Sequence, residues 1–207
     1  MKNSKKTLLT LAAFLMFASY AHAQKGLLKF DLNYNYSFPT SGFNSDLISN
    51  GSPRGARGAI MYSFTDKLSA GLESGFQDYY QKYPRDVYSI GKSQDISAVI
   101  TNSIQTTPFL LKAKYTLSPA SAIQPYVSVG AGANMISFNQ YFGEFANSQT
   151  NIGFLAEGGA GVKVPFGKMK TSGIDVGATY DYAPYKKSGY SDLNNLNIKA
   201  GIYFKLD

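Results

Sequence analysis

Seven charged residues are placed where they could act together: Asp31, Glu73, Lys112, Glu157, Lys163, Asp175 and Lys199. Each lies in a segment where apolar and polar residues alternate, and each takes the polar phase. Carboxylates and ammoniums gathered on one face can form charge-assisted hydrogen bonds and solvate an interior. Residues suited to covalent or metal chemistry are scarce. The 207 residues contain no Cys, no Trp and a single His, His22. Beyond His22 the chain offers no imidazole as general base, so lipid or peptide cleavage by a His-dependent mechanism is excluded. The acidic residues are scattered without a matched pair. The expectation is no enzyme activity, no catalytic residues, no cofactor and no metal site.

A second set, Tyr80, Lys82, Tyr83, Arg85 and Tyr88, interleaves aromatic and basic side chains in one polar stretch. That mixture suits contact with glycans or anionic lipid headgroups, through stacking and cation–π attraction. Gly130-Ala131-Gly132 and Gly158-Gly159-Ala160-Gly161 resemble fragments of a phosphate-binding loop. They lack the strand-then-helix context that such a loop needs, and read as strand glycines that relieve crowding.

Strict alternation is what positions these residues. From Leu28 every second residue is apolar or aromatic (Leu28, Phe30, Leu32, Tyr34, Tyr36, Phe38), with Lys29, Asp31, Asn33, Asn35 and Ser37 between. A strand sends successive side chains to opposite faces, so Leu27 to Phe38 is a two-faced strand. The pattern recurs over residues 58–64, 68–80, 100–117, 123–138, 152–164, 173–182 and 195–206. Long polar connections (40–57, 79–97, 139–151, 183–194) alternate with short ones (65–67, 118–122, 165–172). No segment has a helical period, and none approaches 18 consecutive apolar residues after the N-terminus. The predicted fold is all-β, an eight-stranded antiparallel up-and-down transmembrane β-barrel with short turns at one end and long loops at the other. Closure removes the edges of a two-faced sheet.

Three features put the apolar face outside. The polar face is built from Gly, Ser, Thr and Asn with few charges. Aromatics gather near strand ends on the apolar face, as interfacial girdles do. Long loops occur at one end only. A secreted lipocalin-like barrel, whose apolar face would line a ligand cavity, is the competing reading. Counting up from the short turns sets Glu73 level with Lys112, Lys163 with Asp175, and Asp31 with Lys199, each as an expected ion pair in the lumen. On the same reading Val176→Arg should impair insertion, and Gly177→Ser should be mild. Eight strands leave an interior that side chains nearly fill, which argues against a general diffusion pore.

The first residues are expected to be a signal peptide, 1–23. Lys2, Lys5 and Lys6 precede an apolar run of 14 residues, Leu8 to Ala21, too short for a membrane helix, and Ala21-His22-Ala23 forms a small-x-small cleavage site. The barrel domain is then 24–207. Cleavage would remove His22 and leave 184 residues of formal charge +4. That charge is spread without a block, and no nucleic-acid partner is expected.

With these segments in place the chain resembles the OmpX/PorT-like outer membrane β-barrel domain proteins of Bacteroidetes type. The resemblance rests on Thr107-Pro108-Phe109-Leu110-Leu111-Lys112-Ala113-Lys114-Tyr115 and on Gln124-Pro125-Tyr126-Val127-Ser128-Val129-Gly130-Ala131-Gly132. It rests also on Ala156-Glu157-Gly158-Gly159-Ala160-Gly161-Val162-Lys163 and on Ala200-Gly201-Ile202-Tyr203-Phe204-Lys205-Leu206. It implies a cell-envelope barrel of the Gram-negative outer membrane, inserted by the barrel assembly machinery and surrounded by outer membrane lipid. It carries over no catalytic residues. Many such barrels end on an aromatic residue, whereas this chain ends Phe204-Lys205-Leu206-Asp207. The expected role is structural or surface-interactive, through extracellular loops that contact a glycan or protein ligand, with the barrel a monomer. The alternative is a narrow channel for small solutes or ions.

Overall fold

Alternating side chains can be sorted onto two faces only by an extended chain, and ten segments adopt it. The computed structural model describes residues 26–46, 48–91, 94–142, 145–167, 170–187 and 190–206. The segment 1–23, read above as a signal peptide, lies outside the described residues. The strands are β1 (Leu27–Pro39), β2 (Ser52–Ser63), β3 (Leu68–Gly91), β4 (Gln94–Thr116), β5 (Gln124–Phe142), β6 (Phe145–Phe166), β7 (Ser172–Tyr182), β8 (Pro184–Lys187), β9 (Tyr190–Asp192) and β10 (Asn195–Lys205). One short helix, α1 (Ser41–Asp46), follows β1. Eight strands close a barrel in the order β1-β10-β7-β6-β5-β4-β3-β2, and β8 pairs with β9 in a separate two-stranded sheet. All pairings are antiparallel. The first and last barrel strands seal the cylinder, from Lys29 opposite Lys205 to Pro39 opposite Asn195.

The sorting is inside-out relative to a water-soluble barrel. In β1, Asp31, Asn33, Asn35 and Ser37 are buried, while Leu32, Tyr34, Tyr36 and Phe38 are exposed. The same holds around the wall: Leu72 and Leu111 are each 67% exposed and Val129 63%, while Glu73, Lys112 and Ser128 are buried beside them. An apolar belt this continuous is stable only against lipid. The lipocalin-like reading needs the apolar face inside, and the structure has the reverse. No helix among the described residues is long and apolar enough to cross a membrane; the strands are the spanning elements.

Four sequence-based boundaries move. The connection 40–57 is not all loop: it contains α1, and β2 starts at Ser52 rather than Gly58. The expected loop 79–97 is the upper part of a β-hairpin, with β3 and β4 paired from Leu68–Tyr115 to Gly91–Gln94 and register shifts between Lys82 and Arg85 and between Ser89 and Gly91. The expected loop 139–151 is likewise hairpin, with β5 and β6 paired up to Phe142–Phe145. The last long connection holds β8 and β9. The central strands are therefore 24, 23, 19 and 22 residues long, against 11 to 13 for the other four barrel strands.

The core lies in the lumen, whose small residues are not interchangeable. A Cβ on Gly177 would stand 2.8 Å from the Ala160 carbonyl oxygen and 2.9 Å from the Tyr126 hydroxyl, whereas a Cβ on lipid-facing Gly158 would meet nothing within 4 Å. Gly177→Ser is thus not the mild change that its position in the pattern suggests. Gly177→Ala should cost about 1–3 kcal/mol of barrel stability by overpacking. Gly158→Ala should stay within about 0.5 kcal/mol. Urea unfolding midpoints of the refolded variants in lipid vesicles check both values.

Candidate functional site

The polar phase of seven strands converges on two charged clusters in the lumen. The upper one is built around Arg57, which β2 carries inward in step with Ala59 and Met61. Its guanidinium Nη1 lies 2.5 Å from Glu157 Oε2 and 3.3 Å from Glu73 Oε1, and Nη2 lies 2.5 Å from Asp181 Oδ2. Lys112 Nζ closes the ring, 2.7 Å from Glu73 Oε2 and 2.5 Å from Glu157 Oε1. The lower cluster centres on Lys114, 2.5 Å from Asp31 Oδ2 and 3.1 Å from Asp175 Oδ2. Asp175 also accepts a hydrogen bond from the Tyr126 hydroxyl at 2.6 Å. Lys163 Nζ sits 3.8 Å from Asp31 and 4.7 Å from the centre of the Tyr203 ring. These groups are almost wholly removed from water, and Asp31 and Asp175 are 0% exposed. Buried charges of this kind hold only if paired.

An apolar layer closes the lumen above the upper cluster. Leu110 and Leu155 face each other across Gly132. Tyr79, Ile104 and Ile136 stack on them, and Phe43 and Ile48 from the α1 connection pack down with Tyr185 of β8 and Leu193, just past β9. Phe43 meets Tyr79 edge-on at 4.8 Å. The Tyr79 hydroxyl reaches the Ser37 hydroxyl at 2.6 Å, which satisfies the one polar atom the ring would otherwise bury.

All seven sequence-predicted lumen charges point inward, but the pairing differs from the expected one. Glu73 and Lys112 meet. Lys163 and Asp175 are opposite each other in backbone register and attract each other electrostatically, while the ion pairs within 4 Å run from Lys163 to Asp31 and from Lys114 to Asp175. Asp31 and Lys199 do not pair: Asp31 stands opposite Tyr203, and Lys199 opposite Asn35. The strands of a closed barrel are staggered, so equal counts from the turns are not equal heights at the seam. Lys199 is buried beside the upper cluster, where Glu157 and Glu73 face Lys112 and Lys199. Three participants lie outside the expected pairs. Arg57 falls in the expected loop 40–57, although stepping back by two from Met61 and Ala59 reaches it. Lys114 and Asp181 take the polar phase of their strands, where the sequence names no partner for them.

The loop-contact candidates lie on the upper half of β3. Tyr80 and Lys82 are exposed on one face, and Arg54 lies 5.5 Å from the Tyr80 ring centre while pairing with Asp78 at 3.3 Å. A register shift between Lys82 and Arg85 separates Arg85 from that face. Tyr83 is half-buried, and the side chain of Tyr88 is outside the described part of the structure. The three lumen carboxylates around Arg57 do not form a metal cage: among the described residues no group of three or more potential ligands is arranged to hold an ion.

Solved structures of similar fold include several outer membrane barrels. A major outer membrane protein from Thermus thermophilus superposes with a TM-score of 0.59 at 12% identity, covering 89% of this chain and 100% of that one. The outer membrane protein OprG from Pseudomonas aeruginosa gives 0.51 at 15% identity, covering 90% and 98%. Ail, the attachment invasion locus protein of Yersinia pestis, in a complex with the heparin analogue sucrose octasulfate, gives 0.50 at 16% identity, covering 88% and 100%. No curated protein matches the chain. At these identities the likeness speaks for the fold alone. The sequence itself goes further, because residues 9–205 match the family profile described as outer membrane protein beta-barrel domain, and the chain belongs to that family.

Proposed function

We propose that the protein is a non-enzymatic surface barrel of a Gram-negative outer membrane, exported by its N-terminal signal peptide, whose working part is the sheet that β3, β4, β5 and β6 raise beyond the barrel rim. The length of that sheet carries the reading. Past Asp78, β3 has no β2 partner, and before Ala156, β6 has no β7 partner, while both stay paired to their inner neighbours. The roughly ten residues by which β3 outruns β1 add on the order of 30 Å along the strand at about 3.3 Å each. A platform whose two edges have no ladder partner among the described residues, with exposed Tyr80, Val87 and Tyr141, suits docking of a glycan or protein ligand at the sheet. The OmpX/PorT-like assignment within the family rests on the motifs quoted above.

The channel reading has less support. The lumen holds two ion-paired clusters and an apolar plug in series, whose side chains are almost wholly buried. Purified protein in planar bilayers should be electrically silent, and steady, reproducible openings would establish a channel instead. For the surface role, residues 83–100 can be replaced by an Asn-Gly turn closing Lys82 onto Thr101, which face each other in register. That variant should keep the barrel's heat-modifiable gel mobility and lose binding on an array of glycans and envelope proteins. Retained binding would place the contact surface elsewhere.

A further inference from the structure

The opposite end of the barrel carries a second feature that the surface role does not use. Between the short turns lies a cavity of about 250 Å³, lined by Lys29, Lys67, Lys163, Lys170 and Tyr203, with Asp66 as the one carboxylate on its wall. Even with Lys163 counted against Asp31, three lysines face one acid. The lysines come from four separate pieces of chain: β1, the β2–β3 turn, β6 and the β6–β7 turn. Like charges from four elements repel one another at the lumen mouth, and the wall carries fewer carboxylates than would balance them. Lys170 is anchored by donating to the Ala120 and Ser121 carbonyls of the β4–β5 turn, which ties the turns together around the opening. The Tyr203 ring is 2% exposed, and its hydroxyl has no hydrogen-bond partner among the described residues. Lys29 and Lys163 bracket that ring at 5.8 and 4.7 Å from its centre. The two ammoniums flank the ring, while Asp31 and Asp175 are the charged groups that act on its hydroxyl; on a wall with more lysines than acids, a phenol donor without an acceptor can still serve an anion in the cavity.

We infer that this short-turn vestibule binds a phosphate group. Ammoniums are point charges with several donors each, suited to a tetrahedral dianion approached from many sides. The volume admits a phosphate with a small ester substituent. The same chemistry could reach the mouth as a free phosphate or as a phospholipid headgroup from the surrounding leaflet, since the cavity opens at the level of the turns.

The test uses the full barrel refolded in octyl glucoside, which carries no phosphate, titrated calorimetrically with inorganic phosphate and, separately, with water-soluble dihexanoylphosphatidylglycerol. Saturable binding of at least one probe is expected. Lys29→Met should weaken it by about tenfold, the scale of a lost charge-assisted hydrogen bond, with Lys170→Met as an independent second variant. Tyr203→Phe, which keeps the ring, should weaken it by about threefold, the scale of a lost neutral hydrogen bond. Gly158→Ala on the lipid face should leave it unchanged. Unboiled gel mobility confirms that each variant is folded. Uptake of phosphate with the same variant pattern identifies a soluble ligand, and uptake of the short-chain lipid alone identifies a headgroup. If the folded barrel takes up neither probe, or binds them equally well in the Lys29, Lys170 and Tyr203 variants, the inference is overturned. Surface binding by the β3–β6 sheet would be unaffected either way.

Discussion

Arg57→Met should unfold the barrel more readily than any other single change in the lumen, by about 3–5 kcal/mol, the usual cost of orphaning a buried ion pair. The guanidinium touches three carboxylates on three strands, Glu73, Glu157 and Asp181. Its side chain is 6% exposed and theirs 0–3%, so water cannot replace it. Lys112 would still neutralise Glu73 and Glu157, but Asp181 would keep no cation within 4.0 Å among the described residues. Arg57→Lys should recover only part of the loss, because one ammonium cannot present the planar fork that reaches Glu157 and Asp181 together. The triple variant Arg57→Met, Asp181→Asn, Glu157→Gln should regain most of it, since removing a whole buried set is far cheaper than removing one member. Urea denaturation in lipid vesicles, followed by heat-modifiable mobility, measures each value. An Arg57→Met barrel within about 0.5 kcal/mol of the parent, the range of an ordinary surface change, would mean that the cluster is hydrated and does not hold the strands together.

How Arg57 escaped the sequence reading shows where alternation stops informing. Inside the membrane the two faces of a strand meet lipid and lumen, and the contrast between Leu28-Phe30-Leu32 and Lys29-Asp31-Asn33 is stark. Toward the rim the inner face mixes polar and apolar residues (Ser52, Arg57, Tyr79) and the outer face carries polar ones (Arg54, Lys82), so the pattern fades while the hydrogen-bonded ladder goes on. Ser52 to Arg57, Tyr79 to Gly91 and Phe145 to Asn151 are strand for that reason and look like loop. The apolar plug was hidden for a related reason. Phe43 and Ile48 are isolated apolar residues in a polar stretch, and Leu110, Ile136 and Leu155 sit on the polar phase, where each looks like an irregularity. Read together they mark the height at which the lumen changes from charged to greasy. Ion-pair partners depended on register and side-chain reach. Glu73 and Lys112 lie on neighbouring strands two residues out of backbone register, an offset that their long side chains close. Asp31 and Lys199 lie across the seam, where strand stagger moves them four residues apart.

The apolar wall gives the second large effect. Val176 is the fifth of eleven residues in β7, opposite Val162 on one side and Ala200 on the other, and 42% exposed on the outer face. Ile174 and Ala178 flank it on the same phase, so it stands near mid-height of the belt. Val176→Arg should cost about 2–4 kcal/mol, the penalty for a guanidinium at the bilayer midplane, and the same change near a rim about 0–1 kcal/mol. Phe38, among the aromatics at the upper end of β1, supplies the rim comparison: Phe38→Arg should lose far less than Val176→Arg. The difference between the two positions is the informative quantity, because it follows depth in lipid and not packing. Folding yields in vesicles, read as the fraction with unboiled mobility, check the order. If both arginines were tolerated in lipid and the protein stayed in solution without detergent, the outer face would not be a membrane face. The lumen clusters would then have to be explained as the core of a soluble barrel, with 35 large apolar side chains among the described residues left facing water.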